Sequence, residues 1–474
     1  MRKTEQPDPA SDDGRPAPIR LARRMAREVI ESEAPVGTYL GALPEVAQRF
    51  RISVPTLRKA IVYLLDDGVV AMREGRGGGL FVAAPPIESA MRAMHLYLSD
   101  RNLSAEQVAE ARKAVDGALI ERALRFVDGS DHDVLRALIA PPENETALAA
   151  TAEALEDAVL AAARQPILAL FSRLMRRLGN DDAMGAEHDF HTEWRLRCDA
   201  AEAILAGNLA DALSSWDARR SLADSPGVDP DRVERLADRI AVAIKTFIGA
   251  ERLAPGDELG HEAGLQERFA VSRNTLRDAI RILERSGAVR VAQGRGGGIF
   301  VGAAEPYAAI EMTSLYLSTI RLDFAEQIEA RRVLEACAAQ LGAARIAPDL
   351  ATELQAAVAA DVAAARIPTA DWANKGARVE RLVAQACQNP LVEFFTLVMI
   401  ELSMSEAGRS KTILPQADLA RLVSVNHAEI VDAIITRRPI DAAFRTRQYL
   451  THLARWHATS LSATHDDRRE RNAP

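Results

Sequence analysis

Residues Val271–Val301 read VSRNTLRDAIRILERSGAVRVAQGRGGGIFV, and the fold turns on how this stretch is read. Leu276, Ala279, Ile280 and Leu283 recur at i, i+3, i+4 and i+7, which places them on one helical face. Asn274, Arg277, Arg281 and Arg285 fall on the opposite face, giving an apolar back and a basic front. Ser272 is suited to cap the first free N–H groups, and Gly287 to end the helix in a left-handed conformation. Ala288–Ala292 and Ile299–Val301 then read as strands around a glycine-rich turn. A basic helix followed by a basic hairpin suits a winged helix-turn-helix, with the helix in a major groove and Arg295 reaching the backbone or minor groove.

The stretch occurs twice. Ile52–Val82, ISVPTLRKAIVYLLDDGVVAMREGRGGGLFV, repeats TLR, AI and the GRGGG turn at a constant offset of 219 (275 − 56, 295 − 76). Beyond it, Glu110-Ala-Arg112 pairs with Glu329-Ala-Arg331 at the same offset. Gln165-Pro166 pairs with Asn389-Pro390 at 224 (389 − 165), and Ala203-Ile204 with Ala433-Ile434 at 230 (433 − 203). A drift that grows through loops is what duplication of a whole unit followed by insertions would leave.

At 474 residues, and about 150 residues per domain, the chain is expected to hold roughly three or four domains. Few aromatics and abundant Ala, Leu and Arg predict a largely helical protein. The net charge of −8 excludes indiscriminate binding to nucleic acid, so any DNA contact must come from local basic faces. Cys198, Cys337 and Cys387 form no CxxC pair and suit a reducing cytoplasm. No span approaches the roughly 20 apolar residues of a membrane helix, and the N-terminus lacks a signal-peptide core. No Ser/His/Asp arrangement or nucleotide loop points to an enzyme. GRGGG is followed by a strand and no Gly-Lys-Ser/Thr, which argues against a phosphate loop.

In order, the chain is expected to run as a disordered tail (1–18), a first winged helix-turn-helix (19–83), a first helical bundle (84–224), a linker SPGVDPD (225–231), a second winged domain (232–303), a second bundle (304–462) and a charged tail (463–474). The fold class is therefore mainly α, with two small β-hairpin wings and two all-helical bundles.

These residues resemble the GntR family of bacterial transcriptional regulators, in the subgroup with an all-helical, FadR-like FCD sensor domain. The resemblance rests on Pro255-Gly256, Val271-Ser-Arg273, Leu276-Arg277, Gly287, the Gly294–Gly298 wing, Glu329–Glu335, Asn389-Pro390 and His427–Ile434. It implies two complete units fused head to tail, a covalent pseudo-dimer offering both readers to a double-stranded DNA operator; further pairing of chains stays open. The implied DNA-contacting residues are Ser272, Arg273, Asn274, Thr275, Arg277, Arg281, Arg295 and Gly296 in the second reader. In the first they are Ser53, Thr56, Arg58, Lys59, Arg76 and Gly77. Val54-Pro55 stands where the second reader has Arg273-Asn274, so the first is expected to be the weaker and the operator asymmetric. An alternative keeps the first unit as a non-enzymatic dimerisation scaffold and leaves DNA to the second.

The resemblance also implies a bundle cavity for a small organic acid, with Arg112 and Arg331 near its carboxylate. FCD domains commonly bind a divalent metal through an Asp and a His four apart and two later histidines. Those places hold Gly376, Glu380, His427 and Tyr449 in the second half, and Ala152, Glu156, Arg197 and approximately Arg219 in the first. His427 alone keeps a family ligand, so no metal or other cofactor is expected. Glu156 facing Arg197 and Arg219 is expected to form a buried charge cluster instead.

Overall fold

The computed structural model describes residues 16–32, 34–75, 77–99, 101, 103–141, 145–178, 190–223, 236–292, 297–303, 306–320, 322–368, 372–409 and 416–471. Arg76, Arg295 and Gly296, together with the 225–231 linker, lie outside them.

In chain order the elements are α1 (Ala17–Glu31), β1 (Tyr39–Gly41), α2 (Leu43–Phe50), α3 (Val54–Asp66), β2 (Val70–Arg73), β3 (Gly79–Val82) and α4 (Ile87–Leu98). There follow α5 (Ala105–Phe126), α6 (Gly129–Ile139), α7 (Glu145–Ala162), α8 (Pro166–Leu178), α9 (Phe190–Leu205) and α10 (Leu209–Ala223). Next come α11 (Leu236–Ala250), β4 (Glu258–Gly260), α12 (Glu262–Phe269), α13 (Arg273–Ser286), β5 (Val289–Ala292), β6 (Gly298–Val301) and α14 (Tyr307–Thr319). The last are α15 (Phe324–Arg345), α16 (Pro348–Ala365), α17 (Trp372–Ala386), α18 (Pro390–Arg409), α19 (Gln416–Ile435) and α20 (Pro439–Arg471).

These elements group out of sequence order. One compact unit joins residues 1–101 to 232–321, and another joins 102–231 to 322–474. In the first unit, α1 to β3 and α11 to β6 share one element order. Their antiparallel sheets share the strand orders β1-β3-β2 and β4-β6-β5, and the registers Val70↔Val82 and Val289↔Val301 lie 219 residues apart (289 − 70). The periodicity predicted two strands per sheet. The third, β1 or β4, is three residues long and carries no alternation to read, yet it pairs with the outer hairpin strand.

The apolar stripe of α13 is fully committed: Leu276, Ala279, Ile280 and Leu283 are all buried. Gly287 terminates the helix with φ 80°, its N–H bonded to the Glu284 and Leu283 carbonyls, where a side chain would be strained. At Gly302 a Cβ would meet the Gly287 carbonyl oxygen at 2.1 Å, so a side chain there would push the end of the hairpin off the helix.

The helices after each hairpin are exchanged between the two cores. Met312 and Leu315 of α14 are buried in the core built on α1, α2 and α3. Leu96 of α4 is buried in the core built on α11, α12 and α13.

The second unit is all helix. α15, α16, α17, α19 and α20 enclose one core, and α5–α10 form a second set around Leu119, Leu155, Phe171 and Trp216. The two sets meet through near-identical positions. Phe171 stacks on Phe395 at 4.1 Å between centroids, 224 residues on (395 − 171). The Gln165 amide donates to the Glu326 carbonyl at 2.8 Å, and the Asn389 amide to the Gln107 carbonyl at 2.8 Å.

Candidate nucleic-acid interface and buried charge clusters

Helices α3 and α13 start alike. Ser272 Oγ accepts from the Thr275 N–H at 3.2 Å and Ser53 Oγ from the Thr56 N–H at 3.3 Å, closing each N-terminus. The first turns are solvent-facing: Ser272, Arg273, Asn274 and Arg277 on α13 are exposed, as are Ser53, Arg58 and Lys59 on and beside α3. Thr56 and Thr275 are half-buried by the caps they join. Gly77 lies in the first hairpin turn with φ 79°.

The guanidinium groups of α13 are held ready by Glu262 at the start of α12. Arg277 Nε donates to it at 2.9 Å and Arg273 Nε at 3.2 Å. Those bonds hold the Glu262 carboxyl below its ordinary range. Because the arginine side chains stay more than half exposed, a phosphate or base edge can take over donors from this carboxylate. Before α3 the corresponding place holds Leu43-Pro44 where Glu262-Ala263 stands before α13, so it offers no such carboxylate.

Arg281, one turn beyond Arg277 on the basic face, has acidic partners: its Nε lies 3.3 Å from Asp66 and its Nη2 donates to Asp278 at 2.9 Å. Arg285 turns the same way, pairing with Asp67 and donating to the Tyr63 carbonyl at 2.9 Å. Burial brings Arg285 down to about 10. Tyr63 is pushed up to about 12, by burial first and by the Glu284 carboxylate beside its hydroxyl second. The basic face of α13 is therefore split. Its first turns face solvent, and its last two arginines belong to a seam with the end of α3.

In the helical unit, the residues singled out by the resemblance are buried among one another. Arg331 Nε donates to Glu335 at 2.5 Å and its Nη2 to Glu380 at 2.8 Å. His427 Nδ1 lies 2.9 Å from Asp361, its Nε2 lies 3.6 Å from Glu380, and Tyr449 Oη is 3.5 Å from the same carboxylate. Burial alone would keep the His427 ring neutral, but the Asp361 hydrogen bond and the Glu380 charge outweigh it and raise the ring to about 9. Burial likewise works against the Glu380 carboxylate, yet Arg331 and His427 hold it at about 2. Burial raises Glu335 despite its bond to Arg331. A cavity of about 20 Å³ beside the cluster is lined by Glu335, Glu380, Thr396, His427 and Tyr449.

A family-type metal does not fit here. Both ring nitrogens of His427 face carboxylates, its raised pKa makes it a cation at neutral pH, and Arg331 already neutralises Glu380. At Gly376 a Cβ would come 3.6 Å from Asp361 Oδ1 and 3.7 Å from His427 Cε1, so no ligand reaches in from that place. Among the described residues no group of three His, Cys, Asp or Glu side chains is arranged to hold an ion.

The first set of helices carries its own cluster. Arg197 donates to Glu156 through Nε at 3.1 Å and Nη2 at 3.0 Å, and also lies 2.7 Å from Glu193. The second arginine on Glu156 is Arg176, at 3.4 Å, a residue the spacing argument passed over. The side chain of Arg219 lies outside the described residues. Arg112 is buried and donates to the Met175 carbonyl at 2.7 Å, while Asp116 accepts from Ser172 at 2.7 Å. Asp361 was missed as well. Its signal was present: a lone carboxylate inside the alanine-rich run AAVAADVAAA.

Residues 236–301 match the family described as bacterial regulatory proteins, gntR family, and residues 326–465 match the FCD domain. RmpR of Mycobacterium gastri, described as an HTH-type transcriptional regulator, is 28% identical over 219 residues, 46% of this chain and 78% of its own length. An uncharacterised HTH-type regulator of Mycobacterium tuberculosis is 34% identical over 142 residues, 29% of this chain and 57% of its own. Bacillus subtilis YcbG, under the same description, is 27% identical over 224 residues, 47% of this chain and 90% of its own. Streptococcus agalactiae GntR aligns with 46% of this chain and 99% of its own at 19% identity and a TM-score of 0.35. No helix among the described residues is long and apolar enough to cross a membrane. Residues 236–301 thus match a GntR-type DNA-binding domain and residues 326–465 an FCD domain, and the chain is similar to HTH-type transcriptional regulators that cover both.

Proposed function

We propose that the chain is a tandem regulator: residues 17–82 are a second reader, α5–α10 a second sensor bundle, and one polypeptide presents both readers to one operator as a pseudo-dimer. One observation carries this reading. Two serine-capped helices, α3 and α13, each expose a basic first turn beside a three-stranded sheet of the same strand order. Arg273, Asn274 and Thr275 do most of the base reading, and Arg277, Arg58, Lys59, Arg76 and Arg295 set register on phosphates. The first helix brings Val54 and Pro55 where the second brings Arg273 and Asn274, so its half-site is the less selective one. On α13 the residues meeting DNA lie in the first turns, since Arg281 and Arg285 are engaged elsewhere.

A small organic acid would act on the second bundle by exchange. It would compete with Glu335 and Glu380 for Arg331 and so alter the balance between two arrangements of the readers. Selection of bound fragments from random duplex DNA at a stated salt concentration tests the whole reading. Recovery of two unequal half-sites supports it. A single half-site, unchanged when Arg58 and Lys59 are replaced, would instead leave residues 17–82 as a scaffold.

A further inference from the structure

We infer that the seam between the two readers is coded by charge, so that each segment accepts the other kind and rejects its own. The inference rests on the reading of residues 17–82 and 236–301 as counterparts, 219 positions apart. At the end of α3 the acids Asp66 and Asp67 meet the bases Arg281 and Arg285 of α13. The counterparts of Asp66 and Asp67 are Arg285 and Ser286, and those of Arg281 and Arg285 are Val62 and Asp66. In both of these ion pairs the acid comes from the end of α3 and the base from α13, while the acids of α13 itself, Asp278 and Glu284, face Arg281 and the Tyr63 hydroxyl. Two copies of α13 meeting in this way would bring Arg281 against Arg285, and two copies of α3 would bring Asp66 against Asp67 and Val62.

The exchanged helices repeat the rule. Glu311 of α14 pairs with Arg23 of α1 at 3.2 Å, and Arg92 of α4 pairs with Asp238 of α11 at 3.6 Å. Arg92 and Glu311 are counterparts of opposite sign. Pairing of like segments would set Glu311 against Asp238 and Val242, the latter the counterpart of Arg23. It would set Arg92 against Arg23 and Ile19, the latter the counterpart of Asp238. These groups are largely buried, so water cannot relieve the repulsion. By contrast, the bundle seam joins Phe171 to Phe395 with matching amide donations from Gln165 and Asn389, and its ion pairs Glu110–Arg345 and Arg122–Glu329 draw their acids from counterpart positions, so it sets no acid against acid. The partner selected by the reader seam is thus the opposite segment, which the linking chain supplies at high effective concentration.

The test uses the full chain, spin-labelled through Gln48→Cys and Glu267→Cys, exposed counterparts on α2 and α12. The half-exchanged chain carries Val62→Arg, Asp66→Arg and Asp67→Ser, which gives the end of α3 the seam residues of α13. The fully exchanged chain adds Arg281→Val, Arg285→Asp and Ser286→Asp. Half exchange is expected to broaden the label–label distance and cut operator affinity about 10-fold or more; full exchange restores both to within about 3-fold. A narrow distance in the half-exchanged chain, or no recovery in the fully exchanged one, overturns the inference. Should six changes unfold the chain, Arg92→Glu with and without Asp238→Arg reads the same cycle at one contact. The distance readout needs no DNA, so it tests the code alone, whereas protection of one half-site by the unexchanged chain would sink the tandem reading instead.

Discussion

Replacing His427 by Gln removes the one cation that Asp361 and Glu380 share inside the 326–465 bundle. In the folded chain His427 sits at about 9, against 6.5 for an unperturbed ring. Because the folded value is the higher one, the charged ring stabilises the bundle fully below about pH 6.5, and that contribution is lost as pH rises through about 9. A difference of about 2.5 units at about 1.36 kcal/mol each corresponds to roughly 3 kcal/mol. The ring is fully buried, so solvent screening takes little from this figure. At neutral pH the substitution leaves the buried Asp361 carboxylate without its cation while Glu380 keeps Arg331, a loss of about 3 kcal/mol or more, or roughly 6–12 °C in the melting temperature of a domain this size. The assay is urea or thermal unfolding of both proteins between pH 6 and pH 9.5, read as the difference between them. The gap should be widest near pH 6 and close toward pH 9.5, and Asp361→Asn should reduce it in the same direction. Equal pH slopes in the two proteins would refute the argument.

Arg273→Ala and Arg277→Ala should each lower operator affinity by about 1–3 kcal/mol in a salt-controlled binding assay, and Arg58→Ala by less; equal losses would remove the ranking of the two readers. Glu262→Gln, which frees both arginines of α13 from their carboxylate, should raise affinity for random duplex a few-fold and narrow the gap to the specific site. Glu156→Gln leaves Arg197 and Arg176 buried without their shared anion and should destabilise the helical unit by about 3 kcal/mol or more on denaturation. Zinc, nickel or manganese added to the chelator-treated chain should leave its melting temperature within about 1 °C, whereas a dose-dependent rise would show a site that the side chains do not provide for.

Much of the fold was legible because it rests on local rules. The stripe Leu276, Ala279, Ile280, Leu283 and the stop at Gly287 were set by periodicity and by one residue's conformational freedom, and both are as expected. Strands β1 and β4 were not legible, since three residues offer no alternation and their pairing is with a strand about 40 residues away. Arg281 shows the sharper limit. Helical spacing puts it one turn beyond Arg277 on the same face, but its partner Asp66 is 215 residues earlier (281 − 66), and no local pattern encodes that meeting. The buried clusters lie between these cases. Glu156 and Arg197 came from aligned positions and do meet, while Arg176 and Asp361 entered through the packing of helices whose crossing no periodicity supplies.

The central claim is that one polypeptide grips both halves of its operator. Hydroxyl-radical footprinting of the full chain on its selected duplex, at a stoichiometry fixed by native mass measurement, tests this directly. One chain per duplex, with two protected patches about one helical turn apart and the patch facing α13 the stronger, is the predicted result. A single patch, or two chains required for two patches, would contradict it.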